Sequence, residues 1–388
     1  MDLISSRIAE IPPSLTLSIS SQAQAMRDAG KDVCGFGAGE PDFDTPDHIK
    51  AAAIEALGEG KTKYTPSSGI PQLREAIATK LMADNNVEYR PEQVVVNCGA
   101  KHSCFNAMLA VLEPGDEVII PAPYWLSYPE MVRMVGGEPV FVETKRENGW
   151  KITPAEFEEA MSPKTKMIII NTPGNPTGAV YTKDELAALG EVATYEDIVI
   201  LSDEIYEKLV YGEEEHVSIA SISDELYDLT VTVNGFSKGY AMTGWRLGYV
   251  AAPGPIATAI GTIQSHSTSN PTSFAQYGAV AALEGDQTVV SDMREEFDIR
   301  RQYMLGRLQA IGNIEVVEPK GAFYFLVGIG QMGLTSVNLA EKLLARYEVA
   351  VVPGIAFGDD ATIRFSYATG LDVIKTGLDR FEDFCKSH

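Results

Sequence analysis

Seven short runs rich in β-branched residues recur between residues 94 and 251 of this 388-residue chain, and helical patterns lie between them. Such alternation is typical of a mostly parallel sheet with helices on both faces. The runs predict strands at 94–97, 117–120, 140–143, 167–170, 198–201, 230–233 and 247–250, with helices that include 103–112 and 183–194. The predicted fold class is α/β with a mostly parallel seven-stranded sheet between helices.

The pattern changes after about residue 285. There it predicts helices at 287–311, 336–347 and 371–385 and strands at 315–317, 323–327, 349–352 and 363–366. We interpret 286–388 as a smaller α+β domain and 45–285 as a large ligand-binding domain. Residues 1–44, with a helix near 18–28, are expected to form an arm that packs on the smaller domain.

Acidic residues outnumber basic ones by 54 to 31, which gives a formal net charge of −23. Such a surface repels phosphate-rich partners, so we expect no nucleic acid or membrane partner, and an anionic ligand needs a local cationic pocket. The chain shows neither a signal-peptide pattern nor an apolar stretch of membrane-spanning length. A cytoplasmic location is the resulting prediction.

The cysteines and histidines lack the patterns of disulfide frameworks and metal sites. We expect reduced, structural thiols at Cys34, Cys98, Cys104 and Cys385. We predict no metal at His48, His102, His216, His266 or His388.

One segment, at 234–246, places Ser237 beside Lys238 and Arg246 eight residues further on. A lysine amine can hold a cofactor aldehyde, while hydroxyl and guanidinium groups bind a phosphate dianion. The alternative is a solvated lysine and a surface arginine. The spacing favours an anchor for pyridoxal 5′-phosphate.

A short turn after the predicted strand 94–97 contains Gly99, Ala100 and Lys101 and opens a helix. The free amides and positive dipole end of a helix N-terminus suit a phosphate group. A tight turn that binds nothing is the alternative. We interpret these three residues as a phosphate cradle.

Polar residues also follow two neighbouring predicted strands, where ligands collect in open α/β sheets. Asp203 can pair with a pyridine nitrogen and keep it protonated, although a helix N-cap is the alternative. Tyr206 and Asn175 can donate to the phenolate oxygen of the cofactor, although Asn175 also suits a plain turn. Glu204, next to Asp203, is expected to be solvated.

Two further residues suit a flat, anionic ligand. Trp125 follows another predicted strand and can stack on a heteroaromatic ring, unless it is a core tryptophan. Arg364 alternates with apolar neighbours on a predicted strand, so it needs a carboxylate partner from the protein or from a substrate.

Several motifs occur together and in order: Gly37-Ala-Gly-Glu-Pro-Asp-Phe-Asp-Thr-Pro46, Lys63-Tyr-Thr-Pro-Ser-Ser-Gly-Ile-Pro71, Tyr124-Trp-Leu-Ser-Tyr-Pro-Glu-Met131 and the lysine segment. With the residues above, they resemble class I aminotransferases of the fold-type I pyridoxal phosphate enzymes, and specifically bacterial aspartate aminotransferases of subgroup Ib. The resemblance runs nearly end to end.

The resemblance implies roles for individual residues. Lys238 is the lysine that binds the cofactor covalently and moves the substrate proton, with Asp203 and Tyr206 beside it in the catalytic set. Arg364 binds the substrate α-carboxylate, helped by the Gly39 backbone and by Asn175 and Trp125. Tyr64 matches the tyrosine that reaches the phosphate of the neighbouring subunit, which implies a homodimer with shared active sites.

The resemblance also implies a dicarboxylic substrate. Lys101 matches the lysine that binds the distal carboxylate, and Ser14 and Thr16 match arm residues that close over the substrate side chain. Relatives that use prephenate carry a lysine where this chain has Pro12. We therefore expect amino transfer from L-aspartate to 2-oxoglutarate.

Three alternatives stay open at this point. A prephenate, aromatic or broad-range aminotransferase would differ in substrate preference, and a carbon–sulfur lyase would release ammonia without an oxo-acid acceptor. The aminotransferase-like domain of a transcription regulator would need a DNA-binding module, for which about forty residues before the cofactor motifs are too few.

Overall fold

The computed structural model describes residues 3–9, 11–12 and 15–387 of the chain. The N-terminal part contains α1 (Ser6–Ala9), α2 (Leu15–Asp28), β1 (Cys34–Gly35), α3 (Asp47–Gly58) and α4 (Pro71–Asn85). Helix α2 packs through Ile19 and Ala23 against Leu344 and Ala350 in the C-terminal part.

The central part alternates strands and helices. Its strands are β2 (Val94–Asn97), β3 (Glu117–Ala122), β4 (Glu138–Glu143), β5 (Thr165–Asn171), β6 (Val199–Asp203), β7 (Thr230–Gly235) and β8 (Gly248–Ala251). Its helices are α5 (Ala100–Val111), α6 (Ser127–Val135), α7 (Pro154–Ala160), α8 (Lys183–Tyr195), α9 (Asp224–Leu229), α10 (Gly254–His266) and α11 (Ser273–Glu284).

These seven strands form one sheet in the order β2-β8-β7-β6-β5-β3-β4. Strand β8 runs antiparallel to both of its neighbours, and the other strand pairs are parallel. The predicted mostly parallel seven-stranded sheet is therefore confirmed. Its six strands of common direction end at the same edge, so the loops that follow them converge there.

Both faces of the sheet are buried, which explains why its strands contain continuous apolar runs. Side chains alternate between faces along a strand. On β5, Ile168 packs into one core cluster and Ile169 into another, and Ile200 and Leu201 on β6 repeat this division. Helices cover each face, as expected for parallel sheets.

The C-terminal part contains α12 (Thr288–Gln309), β9 (Glu315–Val316), β10 (Tyr324–Gly328), α13 (Ser336–Tyr347), β11 (Val349–Ala350), β12 (Val352–Pro353), β13 (Thr362–Ser366) and α14 (Leu371–Lys386). An antiparallel sheet joins four of the strands in the order β12-β13-β10-β9. The proposed domain boundaries, 44/45 and 285/286, stay a prediction.

The prediction of one continuous strand at 349–352 was wrong. This segment forms two short strands that join different sheets: β11 pairs in parallel with β1, and β12 pairs with β13. The segment is divided because its two halves pair with strands of different sheets, and a local pattern of apolar residues does not indicate which strands will pair. Among the described residues, we find no helix with both the length and the apolar character to cross a bilayer.

Candidate active site

A cavity of about 400 Å³ lies at the edge where the parallel strands end. Its wall includes most of the residues predicted from the sequence: Gly39, Ala100, Lys101, Trp125, Asn175, Asp203, Tyr206, Ser237, Lys238, Arg246 and Arg364. The loops after β2, β3, β5, β6 and β7 supply many of them, because these strands share one direction.

Lys238 follows β7 and extends its amine into the cavity. Its Nζ donates to the carbonyl oxygen of Gly39 at 2.5 Å. Burial, together with the positive charges of Arg364 and Arg246, lowers the pKa of Lys238 to about 8, against the opposing charge of Glu40. An amine with this pKa is a better nucleophile and base near neutral pH than an ordinary lysine.

Asp203 is the last residue of β6 and is 4% exposed. Its Oδ2 accepts from the hydroxyl of Tyr128 at 2.6 Å and lies 3.9 Å from the Sγ of Cys104, while its Oδ1 accepts from the amide of Ile205 at 3.2 Å. Burial raises the pKa of Asp203 to about 6, and the hydrogen bonds from Tyr128 and Ile205 oppose that rise.

Gly99 brings Arg246 against the N-terminus of α5. It has a φ of 92°, and a Cβ built there would lie 2.5 Å from the Nη2 of Arg246. Gly99 is the residue before the first turn of α5, and the helix begins at Ala100, three residues earlier than predicted. A cationic guanidinium and a helix N-terminus thus meet at one point, which is an arrangement that suits a phosphate dianion.

Arg364, on β13, is 2% exposed. Its Nη1 donates to the Oδ1 of Asn175 at 2.9 Å and its Nη2 donates to the carbonyl oxygen of Gly37 at 3.0 Å. Its guanidinium carbon lies 4.3 Å from the ring centre of Tyr324 and 4.9 Å from that of Phe357. Burial lowers the pKa of Arg364.

No carboxylate neutralises Arg364 among its described hydrogen-bond partners, and its buried Nε lacks a partner. A buried cation without a counter-ion is costly, so this site favours an anionic ligand. The sequence left open whether the carboxylate would come from the protein or from a substrate, and the described contacts favour a substrate.

Lys101 is another cationic residue of the cavity wall. Its Nζ lies 5.0 Å from the ring centre of Trp125, which is cation–π distance. Desolvation, followed by the positive charge of Arg246, lowers the pKa of Lys101. The indole of Trp125 in turn meets the ring of Tyr128 edge to face, with centroids 5.1 Å apart.

Comparison with known proteins agrees with this geometry. The sequence profile of the family "Aminotransferase class I and II" matches residues 31–380. The chain belongs to the class I and II aminotransferases. It is 47% identical to the "Aspartate aminotransferase" of Bacillus subtilis (strain 168), with 99% of each chain covered.

Two further relatives extend the comparison. The aminotransferase is 49% identical to the "Probable aspartate/prephenate aminotransferase" of Aquifex aeolicus (strain VF5), with 98% of each chain covered. It also superposes on the aspartate aminotransferase of Thermus thermophilus solved with maleate, with a TM-score of 0.95 and 43% identity over 99% of this chain and 100% of that one.

Pyridoxal phosphate is the cofactor of this enzyme family, and the cavity suits it. The wall provides the amine of Lys238, whose pKa is lowered, and the buried carboxylate of Asp203. It also provides the N-terminus of α5 with the guanidinium of Arg246 beside it, in a space that a side chain at Gly99 would block. These are the groups that an aldehyde, a pyridine nitrogen and a phosphate require. The fold-type I architecture predicted from the sequence is confirmed.

Tyr64, a predicted site residue, is not brought to the cavity of the aminotransferase. Tyr64 is 90% exposed and lies in a surface groove with Lys63 and Asn270. Ser14 lies outside the described residues, and so does the side chain of Thr16. Their roles stay predictions.

Sequence reasoning missed two tyrosines and one cysteine contact. Tyr128 and Cys104 both reach Asp203, and the hydroxyl of Tyr324 lies 2.8 Å from that of Tyr206. A local signal existed for Tyr128, which follows Trp125 by three residues, the spacing of neighbours on a helix. All four cysteines are free in the structure, and Cys104 contacts the site in addition to packing in the core.

The prediction that Glu204 is solvated was wrong. Its side chain is 0% exposed and accepts from the hydroxyls of Ser202 and Ser218, both at 2.8 Å, and it lies 3.0 Å from the Nε2 of His216. Glu204, Glu207 and His216 place oxygen and nitrogen atoms within 4.8 Å of one another, which their spacing in the sequence did not reveal. The ammonium of Lys80 already pairs with Glu207 in this cluster.

Proposed function

We propose that the aminotransferase transfers the amino group of L-aspartate to 2-oxoglutarate and so forms oxaloacetate and L-glutamate. The observation that carries this proposal is that Arg364 and Lys101 line one cavity wall and that neither pairs with a carboxylate among the described residues. Each substrate has two carboxylates, which two such cations can bind. The names of the relatives, and the dicarboxylate maleate in the Thermus structure, support the same substrate class.

We assign the cofactor contacts from the positions of the side chains. When bound, pyridoxal phosphate supplies an aldehyde carbon that accepts amino groups and a pyridinium ring that withdraws electrons from the substrate α-carbon. Lys238 would hold the aldehyde, Asp203 the pyridine nitrogen and Trp125 the ring face. The phenolate oxygen would be bound by Tyr206 and Asn175, and the phosphate by Ser237, Arg246 and the backbone amides of Gly99, Ala100 and Lys101.

Lys238 would also carry the proton of the reaction. With cofactor and substrate bound, its Nζ would be placed to take a proton from the substrate α-carbon and to give it back. The pKa of about 8 leaves a substantial neutral fraction of this amine at pH 7 to 8. The hydrogen bond to Gly39 places the amine at the same wall that would hold the substrate.

The test is a single half-reaction. L-aspartate is added without an oxo acid to protein loaded with pyridoxal phosphate, while the visible absorption band and oxaloacetate are both measured. We expect the band to convert to that of the amine form of the cofactor, with one oxaloacetate per site. The Lys238→Ala variant should lose this conversion, whereas Lys320→Ala, at a half-buried lysine outside the cavity, should keep it. A wild-type band that ignores aspartate would contradict the proposed substrate and leave the cofactor assignment intact.

An aromatic substrate is a competing possibility, and Lys101 separates it from aspartate because an aromatic side chain has no distal carboxylate. Replacing Lys101 by Gln should lower kcat/KM for aspartate about 10-fold or more, since charged hydrogen bonds contribute about 1.5–3 kcal/mol. The kcat/KM for phenylalanine should change little. Pro12, where prephenate-using relatives carry lysine, favours aspartate over prephenate.

We also propose a cytoplasmic homodimer in which Tyr64 reaches the phosphate of the neighbouring subunit. Its 90% exposure in the single chain leaves it available for such a contact. A mixture of Tyr64→Ala and Lys238→Ala subunits tests this, because shared sites would recreate one intact site per mixed dimer and restore activity. No recovery in proven mixed dimers would contradict a shared site.

A further inference from the structure

A buried tyrosine outside the predicted site holds the carboxylate of Asp203. Tyr128 lies in the first turn of α6, is 2% exposed, and donates its hydroxyl to the Oδ2 of Asp203 at 2.6 Å. A hydrogen bond of this length to a charged acceptor belongs to the stronger class in proteins.

The direction of this hydrogen bond follows from the environment. Burial, with the nearby negative charge of Asp203, raises the pKa of Tyr128 well above that of a free phenol. The phenol therefore keeps its proton at all physiological pH values and acts as the donor. A fixed donor stabilises the ionised carboxylate more than the neutral acid, so Tyr128 opposes the effect of burial on Asp203.

Asp203 is held from three directions. Tyr128 comes from α6, Cys104 comes from α5 with its Sγ 3.9 Å from Oδ2, and the amide of Ile205 binds Oδ1. The ring of Tyr128 also supports Trp125 edge to face. Replacing tyrosine by phenylalanine therefore removes the hydroxyl contact and can keep the ring contact.

We propose that Tyr128 is a positioning residue that fixes the orientation of the Asp203 carboxylate and keeps it ionised, so that the proton of the Asp203–pyridine pair stays on the cofactor nitrogen. The inference rests on the proposed pairing of Asp203 with that nitrogen. Tyr128 acts through Asp203 and needs no contact with the substrate.

The experiment compares wild type, Tyr128→Phe and Tyr211→Phe as full-length proteins loaded with cofactor labelled with ¹⁵N in the ring. Tyr211 is the matched control, because it is a buried tyrosine whose hydroxyl donates to the carbonyl oxygen of Ala322 instead of Asp203. In Tyr128→Phe, we expect the ¹⁵N resonance to move toward that of a neutral pyridine. The ¹⁵N resonance of Tyr211→Phe should match that of the wild type.

A second readout uses the cofactor-free chain with ¹³C-labelled aspartate carboxyls, in which Asp203→Asn assigns the Asp203 signal. The pKa of Asp203 should rise by about one unit in Tyr128→Phe, in proportion to the lost hydrogen bond. Unchanged ¹⁵N and ¹³C titrations in Tyr128→Phe would overturn the proposal. The ¹³C titration needs no substrate, so its failure can be distinguished from a failure of the proposed aspartate reaction.

If Tyr128→Phe does not fold, 3-fluorotyrosine at position 128 replaces it. This side chain keeps the ring and the hydroxyl but has a more acidic phenol, so it donates more strongly. The pKa of Asp203 should then fall instead of rise. An unchanged pKa in this variant would also contradict the positioning role.

Discussion

The hydroxyl oxygens of Tyr206 and Tyr324 lie 2.8 Å apart, within hydrogen-bond distance. Both side chains are buried, and the ring of Tyr324 also faces the guanidinium of Arg364 at 4.3 Å. One tyrosine therefore contacts both the residue proposed for the cofactor oxygen and the residue proposed for the substrate carboxylate.

The variant Tyr324→Phe tests the first of these contacts. It keeps the ring against Arg364 and removes the partner of the Tyr206 hydroxyl. We expect kcat/KM for aspartate to fall about 5- to 10-fold, since a neutral hydrogen bond contributes about 1 kcal/mol. The control is Tyr367→Phe, at a buried tyrosine that donates to the carbonyl oxygen of Ala322. Equal activity in the two variants would contradict the prediction.

Replacing Arg364 by lysine should separate carboxylate binding from folding. Lysine keeps the charge but cannot form two parallel hydrogen bonds, so the KM for aspartate should rise about 10- to 100-fold. Arg301→Lys is the matched control, because Arg301 is a buried arginine that pairs with Asp298 and Glu318. We expect it to lower the melting temperature without a comparable change in KM.

The carboxylate of Asp203 should destabilise the cofactor-free protein at neutral pH. Its pKa is about 6 in the folded chain and 3.8 as the ordinary value. Between these pH values the folded chain binds more protons than the unfolded chain, so stability falls as pH rises. Asp203→Asn should therefore raise the free energy of unfolding at pH 7.5 by about 1–3 kcal/mol.

Urea denaturation of the cofactor-free chain at pH 7.5 and near pH 4 measures this effect. The rise in the free energy of unfolding caused by Asp203→Asn should be mostly lost near pH 4, because Asp203 is already protonated in the folded wild type at that pH. Asp84→Asn, at a partly exposed carboxylate outside the site, serves as the control. A gain of equal size at both pH values would show that ionisation of Asp203 is not its cause.

Removing one partner of the buried ion pair between Lys80 and Glu207 should strongly destabilise the protein. Although burial alone would raise the pKa of Glu207, the charges of Lys80, His216 and Lys208 hold it at about 2. Glu207 therefore contributes stability that is present above its ordinary pKa of 4.5 and is lost as pH falls through about 2. Lys80→Met should lower the free energy of unfolding at pH 7 by about 3–5 kcal/mol, because a buried charge loses its partner.

Thermal and urea denaturation of Lys80→Met at several pH values measures this loss. It should shrink as pH falls, because Glu207 without Lys80 accepts a proton more readily. The double variant Lys80→Met/Glu207→Leu should recover most of the stability at pH 7, since it leaves no unpaired charge. A double variant as unstable as the single one would argue against charge as the cause.

Much of the fold and of the site could be predicted from local sequence. Most strands of the large sheet were recognised because both of their faces are buried, so that they contain continuous apolar runs. Asp203 and Lys238 were found for a related reason: each follows such a run, and the ends of parallel strands meet at one edge. Because these strands run in the same direction, the residues that follow them come together in one site although they are far apart in the sequence.

Contacts between distant segments could not be predicted in this way. Arg364 and Asn175 are hydrogen-bonded across 189 positions, and only the tertiary structure brings β13 to the loop after β5. The burial of Glu204 depends on Ser218 and His216, which fold back over it from a later loop.

The sequence by itself determined the strand and helix pattern, the α/β class and the reactive residues at the strand ends, because backbone periodicity and turn chemistry are local properties. Tertiary structure alone decided which side chains stand behind those residues, including Tyr128 behind Asp203 and Tyr324 behind Tyr206. Strand pairing and core packing set these distances, and they depend on the whole chain at once.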